Sequence, residues 1–134
     1  MEASIKIRVR FNETDSMNYV YHGNYASYYH ASRTELLRKV NLCDKKLSEQ
    51  DFLLPVIALE SQYKKPVFYD DVIVVISRLL NVTACKLDFE HEIYNSANEL
   101  VNKGKTSLAF VDMISRKPIR IPDAIQRQLL ILNS

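Results

Sequence analysis

Asn24-Tyr25-Ala26-Ser27-Tyr28-Tyr29-His30-Ala31-Ser32-Arg33-Thr34-Glu35-Leu36-Leu37-Arg38-Lys39-Val40 is a long helical pattern in a chain whose other long patterns read as strands. Tyr25, Tyr28, Tyr29, Leu36 and Val40 recur at three- and four-residue steps, the spacing of one helix face. Ala26, Ala31 and Ser32 are small enough to let a helix backbone approach a sheet closely. Arg33, Arg38 and Lys39 are expected mostly on the wet side, where the basic end suits a helix C-terminus.

Upstream, Ser4 to Phe11 alternates without a break. Ile5, Ile7, Val9 and Phe11 share one face and Lys6, Arg8 and Arg10 the other, which predicts a half-buried strand. Downstream, Asp44 to Gln50 reads as a short helical turn, and strand patterns follow. Phe52 to Tyr63 is the first, with Pro55 pointing to an irregular or edge position. Val72 to Ile76 is β-branched throughout and apolar on both faces, predicting a central strand covered on both sides. Cys85, Leu87, Phe89, His91 and Ile93 alternate with charged residues, and Leu100 to Met113 forms the next run. Pro122 to about Leu130 closes the chain as a short helix, with apolar residues at 125, 129 and 130. Strand, long helix, four strands and short helix predict an α+β domain with an antiparallel sheet over the early helix. One helix leaves part of such a sheet uncovered, so at least a dimer is expected.

Composition narrows the class. The chain has 134 residues, most simply one domain over 1–134, with 47% hydrophobic and 25% charged residues. Eighteen basic against 16 acidic residues give a net charge of +2, which excludes an obvious nucleic-acid surface. Cys43 and Cys85 have no CxxC partner and read as reduced, buried thiols. No apolar leader opens the chain, and its longest apolar run, Val72 to Ile76, is far short of a membrane span. A cytoplasmic protein is expected. His22, His30 and His91 lack metal-ligand spacing, so no metal is expected.

The chemistry concentrates just ahead of the helix, in Glu13-Thr14-Asp15-Ser16-Met17-Asn18-Tyr19-Val20-Tyr21-His22-Gly23-Asn24-Tyr25. Asp15 precedes His22 by seven positions, across a loop rich in turn formers. Gly23 and Asn24 suit a helix start, whose free N–H groups and partial positive charge favour a carbonyl oxygen acquiring negative charge. A carboxylate in the preceding loop can act on the carbon of that carbonyl, so the pairing is an acyl-transfer site in outline. The plainer readings are a turn-capping Asp15 and a merely polar His22. His91, on the apolar face of its strand, reads as a satisfied interior or interface histidine. The tyrosines at 19, 21, 25, 28 and 29 read as core or interface packing rather than base stacking, given the absence of a basic surface.

These residues resemble the 4-hydroxybenzoyl-CoA thioesterase family of hot-dog proteins, particularly its small bacterial acyl-CoA thioesterase branch. The family run Asp-x-Asp-x-x-Gly-x-Val-Tyr-His-x-Asn-Tyr corresponds to 13–25 here. Tyr28, Arg33-Thr34-Glu35, Leu54-Pro55-Val56, Tyr63-Lys64-Lys65-Pro66 and Asp70-Asp71-Val72 match later signatures, so the likeness spans nearly the whole chain. It implies a five-stranded antiparallel sheet wrapped around one long central helix, with sites between two subunits. It further implies hydrolysis of an acyl-CoA to free acid and CoA, with no cofactor beyond the CoA of the substrate. Asp15 would be nucleophile or general base, the His22 backbone N–H the oxyanion donor, and the His22 ring an auxiliary group. Tyr21, Asn24, Tyr25 and Tyr63 would line the substrate, and Lys65, Lys86, Lys103 and Lys105, with Lys64, are candidates for the CoA phosphates, against the plainer reading of a solvated surface. A homodimer or homotetramer is implied, with neither nucleic acid nor membrane as partner. Three positions depart from the family. Asn18 replaces a glycine, and Asn best tolerates φ > 0 among the others; Glu13 replaces an Asp; His30 stands where relatives carry an acid. Rival readings are an acyl carrier protein thioesterase and a non-catalytic acyl-binding protein. A dehydratase of this fold fits less well.

Overall fold

A computed structural model describes residues 1–133. In chain order its elements are β1 (Glu2–Arg8), α1 (Tyr25–Arg38), α2 (Asp44–Ser48), β2 (Phe52–Leu53), β3 (Val56–Tyr63), β4 (Val72–Val82), β5 (Lys86–Tyr94), β6 (Leu100–Ala109), β7 (Val111–Asp112) and α3 (Asp123–Leu132). Five strands form one antiparallel sheet in the order β1-β4-β5-β6-β3, and β2 pairs with β7 beside it. The α+β class and the antiparallel sheet are as expected. The helix is more modest than the sequence pattern implies, 14 residues against a span drawn to Val40.

β1 starts and ends earlier than its alternation predicts. Val9 still exchanges backbone hydrogen bonds with Asp70 and Asp71 (3.0 and 2.9 Å), but the chain then turns. Phe11 leaves the apolar face, enters a 3-10 turn over Phe11–Glu13 and is 71% exposed, edge-on to Tyr69. The turn is locked by Glu13, whose Oε1 accepts the Arg10 backbone N–H at 2.7 Å. Side-chain pairing with the backbone there outweighs the apolar alternation.

β4 is an interior strand, as its β-branched run predicts, but only one of its faces is closed. Ile73, Val75, Ser77 and Leu79 are buried, whereas Val74, Ile76 and Arg78 on the other face are half-buried. Arg78 there pairs with Glu2, Glu90 and Glu92. β3, read as irregular or edge, is the sheet's edge strand, and every residue but Ser61 is exposed.

The core lies between α1 and the inner sheet face in two apolar clusters. One gathers Val9, Val20, Tyr25, Tyr28, Tyr29, Ile73, Val75 and Ile93 near the start of α1. The other gathers Leu36, Leu37, Leu79, Leu87, Phe89, Phe110, Ile125 and Leu129 at its end, where α3 packs. Burying a Leu of this kind stabilises by roughly 1.5–3 kcal/mol. On α3, Ile125 and Leu129 are buried as expected, but Leu130 is 58% exposed and Leu132 takes the inward place. Cys43 is buried and Cys85 only partly so; both are free thiols.

A polar layer separates the clusters. Each element contributes at one level: Ser32 and Arg33 from α1, Ser77 from β4, His91 from β5, Asn102 and Thr106 from β6. Ser77, His91, Gly104 and Ser61 stand side by side in one cross-strand row. Gly104 leaves the space in which the Tyr29 ring lies; a Cβ there would come within 2.4 Å of that ring. Arg33 therefore corrects the sequence reading. It is 4% exposed, because the helix face toward the sheet is wide enough to include it.

Candidate active site

The loop before α1 is a tight hairpin. Thr14 bridges Val20, the Asp15 N–H donates to the Tyr19 carbonyl (2.8 Å), and the Tyr21 N–H donates to that of Glu13 (2.8 Å). At the tip the Asn18 N–H reaches back to the Asp15 carbonyl (3.0 Å), and Asn18 has φ 66°, the left-handed conformation that a glycine or Asn accepts at least cost. Asp15 Oδ1 accepts the N–H groups of Met17 (2.9 Å) and Tyr19 (3.2 Å). That is the turn-capping role open to any Asp in such a loop. It occupies one carboxylate oxygen and leaves Oδ2 without a partner among the described residues.

The hairpin is held from two sides. Buried Val20 donates its N–H to the Val67 carbonyl (2.7 Å), and Tyr19 bridges Phe68. Asn24 does not cap the helix with its side chain. Its Nδ2 donates instead to the Glu13 carbonyl at 2.7 Å, tying the helix start to the loop. The Tyr28 hydroxyl is buried near Glu13 without a hydrogen bond of normal geometry, and burial, then the Glu13 charge, raises its pKa.

A single 3-10 turn, His22–Asn24, leads into α1. As in any helical first turn the leading N–H groups lack intrahelical acceptors, and those of His22 and Gly23 meet none among the described residues. Asp15, Met17, Tyr19, His22, Tyr25, Tyr63, Lys64 and Lys65 line one cleft of about 370 Å³. Tyr25 and Tyr63 meet edge to face at 5.3 Å. Burial, then Tyr29 and Tyr63, push the Tyr25 phenol up to about 12, so it stays a neutral hydrogen-bonding group. Lys65 pairs with Glu99, whose carboxyl that bond holds below its usual range. Lys64 has no ion-pair partner among the described residues.

Not every residue singled out in the sequence gathers here. Tyr21 lies tilted against the His22 ring, the centroids 4.3 Å apart, but does not line the cleft. Lys103 and Lys105 sit within β6 and with Glu60 and Gln62 border a separate hollow of about 140 Å³ on the outer sheet face. Lys86, at the start of β5, lies outside the cleft as well. A larger depression of about 590 Å³ between β1 and α1 is bordered by Glu35, Arg38 and Lys39, and holds no residue of the loop motif. His30 faces away from the cleft, 3.2 Å from Asp44. His91, read as interior, is fully buried: its Nδ1 is 2.7 Å from Ser77 Oγ, its Nε2 is 2.8 Å from Thr106 Oγ1, and its ring stacks on Tyr29 at 4.5 Å. Sequence reasoning did not assemble Ser61, Ser77, Asn102 and Thr106 into a layer. The cue available was a polar residue at an inward position of four neighbouring strands, β4, β5, β6 and β3, which has meaning only once their register is known.

Known proteins resemble this chain in sequence and in fold. The profile of the Thioesterase-like superfamily matches residues 9–129. The putative acyl-CoA thioesterase YneP of Bacillus subtilis is 34% identical over 119 residues, covering 89% of this chain and 86% of that protein. The acyl-CoA thioester hydrolase YbgC of Escherichia coli O6:H1 is 28% identical over 119 residues, covering 89% of each. The crystal structure of a DHNA-CoA thioesterase from Staphylococcus aureus superposes with a TM-score of 0.90 at 29% identity, covering 98% of this chain and 93% of that one.

Proposed function

The chain belongs to the Thioesterase-like superfamily, and on that premise we propose that it hydrolyses an acyl-CoA thioester to the free acid and CoA, with Asp15 as the reacting carboxylate. The observation that carries this reading is that one oxygen of Asp15 is tethered to the loop while the other has no partner among the described residues, in the cleft that also holds the start of α1. The thioester carbonyl oxygen would point at the free N–H groups of His22 and Gly23, which stabilise it as it becomes an oxyanion. Asp15 then attacks the carbonyl carbon, or takes a proton from a water that does so. The C–S bond breaks and the CoA thiolate leaves, a good enough leaving group to need little acid assistance. Tyr25 and Tyr63 form the cleft wall, and Lys64, which borders the cleft and has no ion-pair partner among the described residues, would meet a phosphate. No metal or other cofactor enters this scheme.

The wider reading is of a single hot-dog domain, its sheet wrapped around α1, acting in the cytoplasm as a homodimer or larger homo-oligomer. Among the described residues no helix is long and apolar enough to cross a membrane. Pairing through β3 is supported by its unpaired edge and by Ile57 and Leu59, each about half exposed. The deciding experiment is a hydrolysis panel of acyl-CoA and acyl carrier protein thioesters, followed by Asp15→Asn on the best substrate. The expected loss in kcat is about 10²–10⁴-fold with little change in KM. His22→Ala, which keeps the backbone N–H, should cost less. An Asp15→Asn enzyme that keeps more than about a tenth of wild-type kcat refutes the assignment.

A further inference from the structure

Arg33 poses a problem that its own helix does not solve. Its guanidinium is buried, and a charge in such a place needs an opposite charge and a full set of acceptors. Nη1 donates to Thr106 Oγ1 at 3.3 Å, and the cation lies 5.9 Å from the Phe89 ring. No carboxylate reaches it within ion-pair distance among the described residues. The positions one turn away on α1 are Tyr29, His30, Leu36 and Leu37, none of them acidic.

His30 closes the gap. Arg33 Nη2 lies 2.9 Å from His30 Nδ1, and a guanidinium can only donate, so Nδ1 is the acceptor and the ring proton sits on Nε2. Nε2 is 3.2 Å from Asp44 Oδ2, the first residue of α2. The chain runs carboxylate, neutral imidazole, buried guanidinium. It continues inward through Thr106 to His91 and Ser77, and the His91 ring lies flat on Tyr29. The Tyr29 hydroxyl bonds Ser61 Oγ (2.7 Å) and Asn102. One turn back on α1, Tyr25 packs on Tyr63 at the cleft.

We propose that Asp44, acting through His30, is the counter-ion of Arg33, and that this relay is a positioning device that fixes α1 on the sheet and so aims its first-turn donors at the cleft. His30 and Asp44 touch no substrate in this scheme; they are positioning residues, and their kinetic role rests on the thioesterase reading above.

The test is a double-mutant cycle of Asp44→Asn and His30→Glu, followed by thermal melts and by steady-state kinetics on the best thioester substrate. Asp44→Asn alone leaves Arg33 without its counter-charge and should lower Tm by roughly 3–10 °C for a chain of this size. It should also lower kcat by about tenfold with KM changed far less, as a small displacement of donors does. His30→Glu places a carboxylate one turn from Arg33 and makes Asp44 dispensable. In that background Asp44→Asn should leave Tm and kcat unchanged or raise them, since it removes a neighbouring like charge. An additive cycle, or a Tm loss with kcat intact, overturns the proposal. The Tm arm needs no substrate, so a protein that hydrolyses no thioester fails the functional reading while the relay is still judged.

Discussion

Acidification should weaken this fold through one buried ring. Burial, then the neighbouring Arg33 charge, lower the His91 pKa from 6.5 to about 3. In the unfolded chain the ring recovers its ordinary value. Between those two values the unfolded state holds a proton that the folded state does not, so stability rises with pH and falls as pH drops through 6.5 toward 3. The slope for one proton is about 1.4 kcal/mol per pH unit, so going from pH 6.5 to 4.5 should remove somewhat under 2.7 kcal/mol at this site. Stopping at 4.5 limits the contribution of ordinary carboxylates. The comparison protein is His91→Gln, whose amide can hydrogen-bond Ser77 and Thr106 but does not titrate. Urea unfolding at half-unit pH steps should give a steeper decline for the wild type, and the difference between the two curves should grow as pH falls. Parallel curves from 6.5 to 4.5 refute the argument, because they require His91 to titrate alike in both states.

Gly104→Ala drives a Cβ into the Tyr29 ring, and overpacking of this kind should cost about 1–3 kcal/mol; an unchanged urea midpoint would mean that the ring is not seated on β6. Asn18→Val should destabilise by roughly 1–2 kcal/mol because Asn18 has φ 66°, while Asn18→Gly should be tolerated or mildly stabilising; equal stability of all three proteins contradicts the turn. Light scattering at micromolar concentration should give a dimer or tetramer, and Leu59→Asp on the exposed edge strand should shift it toward monomer; a wild-type monomer removes the shared-site reading.

What the sequence determined by itself was local. Asn18 stands where the resembling family has glycine and is the residue that best replaces it at φ > 0, and the hairpin tip has that geometry. α1 and α3 are legible from periodicity and their N-terminal residues, and β4 and β5 from their branched and alternating runs, because these signals depend on neighbours within a turn or two. The loop motif contains Asp15, His22 and Tyr25, the family resemblance adds Tyr63 and Lys65, and these five border one cleft, whereas Tyr21 and Asn24 of the same motif do not.

The tertiary structure decided what depends on register and on which face is covered. Arg33 reads as a wet-side arginine along the helix, yet it is buried against the sheet, where it meets Thr106 of β6 and His30, and His30 meets Asp44 of α2. Lys103 and Lys105 look like phosphate ligands until parity along β6 puts them on the outer face, away from the cleft. Phe11 completes an alternating pattern in the sequence, but Glu13 folds the chain away from the strand first. The row Ser77, His91, Gly104, Ser61 exists only because β3, β4, β5 and β6 pair in that register. A shift of one residue would turn every one of those side chains to the opposite face. Partners this far apart in the chain meet through the pairing of whole strands, and a single strand's alternation records which side a residue takes but not whom it meets there.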